Sequence, residues 1–213
     1  TGKKERLEQF CKRYKSYKLP FWFNTRPEDI DERKAMLVKE AGCHRISIGL
    51  EHGNEEFRKT VLRRYGNNEK IARAGDILHN YGLPFSINII IGYPGETRDM
   101  VFDTIEMARR LRPDGVSTCI FNPYHGTELR EVCIRKGYIH EDLISEDFFQ
   151  TEYLLKNNSL SKDEVFGLLR TIPLYVEFPK AEYKHIEAAE RFDTEGNRVF
   201  EELKKEFYQL KGW

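Results

Sequence analysis

The sequence lacks an excess of charge of either sign, and it has no apolar run long enough to cross a membrane. Its 213 residues include 35 Lys and Arg against 35 Asp and Glu, so the formal net charge is zero. General nucleic-acid binders and anionic-membrane binders normally carry a basic excess, so both classes are disfavoured. No secretory signal is visible either, and we expect a folded domain in the cytoplasm.

Cysteine is scarce and widely spaced. The four cysteines are Cys11, Cys43, Cys119 and Cys133, and no two of them are close in sequence. Zinc sites and iron–sulfur clusters need closely spaced thiolates, so no metal site is predicted from these positions. Nothing else in the sequence points to an oxidising compartment, and we expect free thiols.

Four short apolar segments alternate with amphipathic helical segments. The predicted strands are 19–26, 43–50, 85–91 and 116–121, and the third is almost continuously apolar, as parallel strands covered on both faces are. Short loops between alternating strands and helices predict βα units and a parallel sheet. A complete eight-fold barrel needs about 250 residues. The sequence therefore predicts an α/β fold, either half a barrel or an open sheet.

The C-terminal third differs in pattern from the rest. Residues 1–139 hold the strands, whereas residues 140–213 carry helix signals without a strand signal. We therefore expect a partial barrel over 1–139 and a helical extension over 140–213. This extension either packs as an addition to the domain or covers an open sheet edge.

Helix boundaries within the extension follow from capping and proline positions. Ser161 and Glu164 form a capping-box pattern before an apolar run, and Pro173 and Pro179 are expected to interrupt that run. Two further helices are predicted over 180–192 and 194–210.

Polar or glycine-rich segments follow each predicted strand, where parallel sheets bind their ligands. These segments are 24–26, 49–53, 92–97 and 122–127. In the segment 92–97, glycines allow a ligand to approach the backbone, and Thr97 caps the next helix, whose first amides favour an anion. An ordinary turn with a helix cap is the alternative interpretation.

Several side chains at this rim are candidates for ligand contacts. Glu51, beside His52, is placed to accept hydrogen bonds from a ribose or an ammonium group, or it is simply a surface charge. Asn88 either faces a ligand or is a satisfied core amide. Either Arg63 or Arg64 is able to clamp a ligand carboxylate, although a solvated helix end is equally compatible with the sequence.

Longer segments resemble a known family. The matching stretches read RPEDIDERKAMLVKEAGCHRISIGLEHG, INIIIGYPGET and FNPYHGTELREVCIRKGYI. Together they resemble the later part of the radical S-adenosylmethionine (SAM) core, and most closely the branch whose members often carry an upstream cobalamin-binding domain. The resemblance covers roughly residues 19–190. It implies a partial barrel of βα units, in which the four strands here are the third to sixth.

The resemblance also implies roles for individual residues. Glu51 corresponds to a SAM contact at a strand end, Arg63 to an arginine near the SAM carboxylate, and Asn88 to an inward-facing polar position. The turn near the adenosyl group corresponds to Gly92, Pro94, Gly95 and Glu96, and the backbone that faces adenine corresponds to Ile120 and Asn122. His125 replaces a proline that is common in the family.

One defining feature of that family is absent from this sequence. The family's CxxxCxxC motif holds the 4Fe–4S cluster that reduces SAM to a 5′-deoxyadenosyl radical, and no such spacing occurs here. The resemblance therefore implies a fragment of a radical SAM Fe–S oxidoreductase that is inactive alone. SAM, the cluster and a possible cobalamin would belong to the parent enzyme, which acts on a small-molecule substrate.

Two other hypotheses remain open at this point. The chain could be a degenerate barrel that binds a nucleotide-like ligand or a protein and never held a cluster. A barrel enzyme with acid/base chemistry would need Glu51 or His52 with a partner, and no pair is evident. With two strands of the barrel missing, the strand at 19–26 becomes a sheet edge, which we expect to be covered or to pair, self-association being one way of pairing.

Overall fold

The computed structural model describes residues 4–144 and 152–212. Its four strands form one parallel sheet in the order β1-β2-β3-β4, which is also their order in the chain. The strands are β1 Phe21–Thr25, β2 Cys43–Glu51, β3 Phe85–Ile91 and β4 Gly115–Ile120. All four lie where the apolar segments predicted them, so the predicted α/β fold is confirmed.

Helices connect the strands and make up the C-terminal part. They are α1 Lys4–Tyr14, α2 Glu32–Glu40, α3 Glu55–Thr60, α4 Asn68–Asn80, α5 Arg98–Leu111, α6 Glu128–Arg135, α7 Lys162–Glu177, α8 Tyr183–Ala188 and α9 Thr194–Lys211. None of the helices in the described residues combines the length and the apolar character that a membrane crossing requires.

Helix starts are set by side-chain caps. Asp31 accepts a hydrogen bond from the Lys34 amide at 2.8 Å and begins α2, and Asn54 and Asn67 cap α3 and α4 in the same way. A short 3₁₀ turn, Pro27–Asp29, precedes the Asp31 cap.

The prediction that Pro173 interrupts the helix is wrong. The predicted capping box is present, with the Ser161 hydroxyl accepting from the Glu164 amide, but α7 continues through Pro173 to Glu177. A proline inside a helix costs about 3 kcal/mol. Burial of α7 side chains on both sides of the proline, such as Leu168 and Tyr175, offsets that cost. Pro179 lies just beyond the end of the helix, as predicted.

The chain divides into two compact units. The first contains residues 1–89 and 106–117, and the second contains residues 90–105 and 118–213. In the first unit, the sheet buries Ile46, Ile48 and Ile87 on one face. The second unit has its own apolar core, supplied largely by α7, α8 and α9; its buried side chains include Val165, Leu168, Ile172, Ile186, Val199 and Leu203.

Strand β1 is an edge strand. It pairs with β2 on one side, and no strand of the described residues lies on its other side. On one face, Phe21 is covered by α1, because the rings of Phe10 and Tyr14 lie 5.5 and 4.9 Å from the Phe21 ring. Trp22 on the other face is 62% exposed.

Candidate functional site

In the first unit, the candidate site begins with Glu51 at the carboxyl end of β2. The β2–β3 register shifts between Gly49 and Glu51, and Glu51 has a φ of 62°. A left-handed backbone is uncommon for a residue other than glycine, and such strain is concentrated at functional positions. Burial raises the pKa of the Glu51 carboxyl, and the nearby Arg64 opposes this shift without cancelling it.

Arg64 holds this carboxylate in place. Its Nη1 lies 3.2 Å from Glu51 Oε1, and its Nη2 donates to the Gly49 carbonyl at 2.9 Å. Nη2 also lies 3.6 Å from Oε2 of Glu28, whose carboxylate is half-buried. Arg63, which the family resemblance favoured, is exposed and has a φ of 52°. Of these two arginines, the inward position therefore belongs to Arg64.

Asn88 lies on the polar face of the sheet. It is the register partner of Gly49, and its Nδ2 donates to the Ser47 hydroxyl at 3.0 Å. The flanking Ile87 and Ile89 point to the opposite, fully buried face. Asn88 is half-buried, so its amide combines this one hydrogen bond with access from the polar face.

Sequence reasoning missed Arg58, which organises the loop after β2. Its side chain is fully buried. It donates to four oxygen acceptors: His52 O at 2.8 Å, Gly53 O at 2.9 Å, Gly66 O at 3.1 Å and Asn68 Oδ1 at 2.6 Å. These contacts fix both ends of the segment that carries Arg64. Its place on a short helix between two loops carries no periodic signal that could have revealed this role.

His52 is buried and engaged in local contacts. Its ring stacks on Phe57 with centroids 4.3 Å apart, and its Nδ1 accepts from the Asn54 amide at 3.0 Å. The described geometry thus gives His52 a role in shaping the loop after β2.

In the second unit, the candidate site is the turn at 92–97 between β3 and α5. Gly92 and Gly95 have φ values of 80° and 79°, a conformation that favours glycine. Glu96 is fully buried and accepts hydrogen bonds from the amides of Gly92 and Tyr93, the latter at 3.0 Å. Pro94 is buried, whereas a Cβ added to Gly95 would meet no atom of the described residues within 4 Å. Among these residues, nothing therefore covers the Gly95 side of the turn.

The start of α5 and the residues after β4 complete the candidate site of the second unit. Thr97 Oγ1 accepts from the Met100 amide at 3.4 Å and begins α5, as the sequence predicted. After β4, the Phe121 amide donates to the Ile91 carbonyl at 2.8 Å. Ile120 is buried and Asn122 is half-buried beside this pairing.

The sequence-predicted site residues are thus divided between the units. Glu51, Arg63 and Asn88 belong to the first, and the turn residues Gly92, Pro94, Gly95 and Glu96 belong to the second with Ile120 and Asn122. Asn158, also in the second unit, holds the turn by two hydrogen bonds. It lies far from the turn in sequence, and no pattern connected the two.

The residues present do not fit a 4Fe–4S cluster. The described residues contain no group of three His, Cys, Asp or Glu side chains arranged for a metal ion. Burial raises the pKa of Cys43 and of Cys133 to about 11, which disfavours the thiolate that a cluster requires.

The fold is that of a parallel α/β protein, a class in which ligands bind at the carboxyl ends of the strands. The family model described as the Radical SAM superfamily matches residues 2–108, which is half of the chain. The chain therefore belongs to the radical SAM superfamily.

Curated relatives are longer proteins. An uncharacterized methyltransferase of Pyrococcus horikoshii is 27% identical over 166 residues, covering 76% of this chain and 35% of the relative. A tRNA-2-methylthio-N(6)-dimethylallyladenosine synthase of Halalkalibacterium halodurans is 28% identical over 104 residues, covering 47% of this chain and 19% of the relative. The chain spans about a third or less of the length of these relatives.

Solved structures share the fold. Methylornithine synthase superimposes with a TM-score of 0.55 and 16% identity, covering 81% of this chain and 44% of the other. TsrM, a radical SAM methyltransferase from Kitasatospora setae with cobalamin and a 4Fe–4S cluster bound, gives a TM-score of 0.51 and 23% identity. That match covers 61% of this chain and 28% of TsrM. Both likenesses concern the fold alone.

Proposed function

We propose that this chain binds SAM, as the SAM-holding part of a radical SAM enzyme. The observation that carries the proposal is the Glu51 carboxylate, which ends β2 on a left-handed backbone and is held by Arg64 at 3.2 Å. A strained backbone that aims a partly buried carboxylate from a strand end is costly for folding, and such a cost is typical of a ligand-binding residue.

Each candidate residue has a role in this proposal. Glu51 accepts hydrogen bonds from the ribose or ammonium group of SAM, and Asn88 offers its amide from the polar face of the sheet. Arg63 pairs with the SAM carboxylate. The backbone of the turn at Gly92, Pro94, Gly95 and Glu96 lies along the adenosyl group, and the backbone at Ile120 and Asn122 faces adenine.

For the whole enzyme we propose reductive cleavage of SAM, which is the chemistry that a 4Fe–4S cluster supplies when bound. The cluster ligands are not among the residues of this sequence, so the chain by itself is proposed to bind SAM without cleaving it. We also propose that the parent enzyme belongs to the cobalamin-linked branch; TsrM, which shares this fold, has cobalamin bound.

Calorimetric titration with S-adenosylhomocysteine and SAM tests the proposal. We expect saturable binding to the 213-residue chain, and Glu51→Gln should weaken it about 10- to 100-fold, as loss of a charged hydrogen-bond acceptor does. Glu56→Gln, on the exposed surface of α3, is the matched control and should leave the affinity unchanged. Equal affinities for the Glu51 and Glu56 variants would contradict the proposed role.

A second candidate function is a binding module that never holds a cluster. The raised thiol pKa values of Cys43 and Cys133 favour it, as does the missing ligand spacing. Anaerobic reconstitution with iron and sulfide should give neither a stable brown 4Fe–4S absorbance nor SAM cleavage. A cluster at stoichiometric occupancy would refute both this candidate and the inactivity proposed for the chain alone. Preference for adenosine over SAM in the titration would favour the module.

For partners, we propose a small-molecule substrate for the parent enzyme, with no nucleic-acid partner, and a cytoplasmic location. The outer edge of β1, beside the exposed Trp22, is proposed to pair with a second copy when no other strand covers it. Sedimentation velocity over a range of concentrations should then show a dimer. A monomer at the highest concentration would refute self-association.

A further inference from the structure

The segment that precedes α7 fastens the turn at 92–97. Asn158 Oδ1 accepts a hydrogen bond from the Gly95 amide at 2.8 Å, and its Nδ2 donates to the Tyr93 carbonyl at 2.9 Å. A single amide side chain therefore pairs with the backbone carbonyl that precedes Pro94 and with the backbone amide that follows it. Only a side chain with both a donor and an acceptor can do this.

Tyr153 contacts both Asn158 and the Gly92 end of the turn. Asn158 Nδ2 also donates to the Tyr153 hydroxyl at 2.6 Å. A Cβ added to Gly92 would lie 2.8 Å from Cε2 of the Tyr153 ring. Burial raises the pKa of Tyr153 to about 12, so the hydroxyl keeps its proton at every physiological pH. The Asn158 amide is thus oriented by a neutral partner.

The turn has two independent restraints. Glu96 is local in sequence and covers the amides of Gly92 and Tyr93. Asn158 is distant in sequence and covers the Gly95 amide, next to the open side of the turn. Gly92 and Gly95 both adopt left-handed conformations, and glycine-rich turns have many alternatives, so the conformation has to be imposed by surrounding contacts.

We propose that Asn158, oriented by Tyr153, is a positioning residue for SAM binding. It holds the backbone of the turn at 92–97 in one conformation before the ligand binds. Binding at the Gly95 side then costs little further conformational entropy. This inference rests on the proposed function, because it concerns the same ligand. Asn158 acts through the turn and is not proposed to contact SAM.

The test compares variants of the 213-residue chain by titration with S-adenosylhomocysteine and by amide hydrogen exchange at residues 92–97. Asn158→Ala should weaken binding about tenfold and speed exchange in the turn, because the Gly95 amide loses its acceptor. Tyr153→Phe removes the hydroxyl that orients Asn158 but retains both hydrogen bonds to the turn, so it should weaken binding about threefold, less than Asn158→Ala does. An affinity equal to that of the unchanged chain would contradict the orienting role of Tyr153.

A destabilised variant without contact to the turn is the matched control. Ser161→Ala removes the α7 cap and should lower the melting temperature, at a cost of about 1 kcal/mol. Its affinity for S-adenosylhomocysteine and its exchange at residues 92–97 should remain those of the unchanged chain. This separates positioning of the turn from a general loss of stability.

The outcomes distinguish the inference from the proposal on which it rests. If the unchanged chain binds and Asn158→Ala binds equally well, the inference fails and the proposed function stands. Unchanged exchange at residues 92–97 in Asn158→Ala would also overturn the inference. If the unchanged chain does not bind at all, the proposed function fails and the inference fails with it.

Discussion

Glu51 and Arg64 form an ion pair across the loop that follows β2, with Oε1 of Glu51 3.2 Å from Nη1 of Arg64. The guanidinium also reaches Glu28 from the chain segment after β1 and the Gly49 carbonyl within β2. One arginine thereby connects the segments after two neighbouring strands. The candidate carboxylate depends on it for its position.

Replacing Arg64 should destabilise the fold measurably. Arg64→Gln leaves two half-buried carboxylates without their shared cation and the Gly49 carbonyl without its donor, and we expect a loss of about 2–3 kcal/mol. Urea unfolding measures this loss. Arg63→Gln is the matched control, because Arg63 is adjacent and exposed, and should cost less than about 0.5 kcal/mol. Equal losses would contradict the assignment of the inward position to Arg64.

Glu51 should make stability depend on pH. Its pKa is raised in the folded state by burial, while Arg64 and Arg26 oppose the shift and Glu28 adds to it. A carboxyl with a raised folded pKa favours folding most when protonated, so its contribution is lost as the pH rises from the unfolded value through the folded one. Glu51→Gln should therefore gain stability relative to the unchanged chain as the pH rises above the ordinary glutamate pKa of 4.5.

Urea unfolding at several pH values measures this difference. Glu56→Gln should give a difference that does not change over the same range. If the free energy of unfolding of Glu51→Gln instead falls relative to that of the unchanged chain as the pH rises, the ion pair with Arg64 outweighs the cost of burial. Combined with weaker SAM binding, a gain in stability would identify Glu51 as a residue retained for function at a cost to the fold.

How much the sequence could predict depends on whether a periodic pattern was available. The strand at 85–91 is almost continuously apolar, and it was predicted to the residue. Arg63 and Arg64 lie in an irregular segment between α3 and α4, where no helical phase tells which side chain points inward. Asn158 contacts Gly95 only through tertiary structure, so no local pattern could have placed it at the turn.

Pro173 shows the converse limit. Local propensity argued for a helix break, and the burial of α7 outweighed it. The resemblance to the radical SAM family supplied the candidate residues, but it could not supply the contacts that hold them. Those contacts come from side chains such as Arg58, whose partners are mostly backbone carbonyls of irregular loops.

Arg58 should be among the most sensitive positions of the first unit. Arg58→Met would leave three backbone carbonyls and the Asn68 side chain without their buried donor, and we expect a loss of about 3–5 kcal/mol. Arg73→Met is the control, since its ion pair with Glu32 is largely exposed and should contribute little. Thermal and urea unfolding measure both. A loss below about 1 kcal/mol at Arg58 would contradict its role in organising the loop.

The two glycines of the turn at 92–97 should differ in their tolerance of a side chain. Gly95→Ala forces a left-handed alanine into open space and should cost about 1–2 kcal/mol. Gly92→Ala carries the same strain and also places a methyl group 2.8 Å from the Tyr153 ring, so we expect about 3 kcal/mol or more.

A double-mutant cycle isolates the contact from the strain. Replacing the ring by a smaller side chain in Tyr153→Leu should recover part of the stability lost in Gly92→Ala, because the steric clash requires both the added methyl group and the ring. The same Tyr153→Leu change should not alter the cost of Gly95→Ala, whose added methyl group meets no neighbour within 4 Å. Additive losses in the Gly92–Tyr153 pair would mean that the ring moves aside freely. The turn would then be held by Asn158 and Glu96 without help from Tyr153.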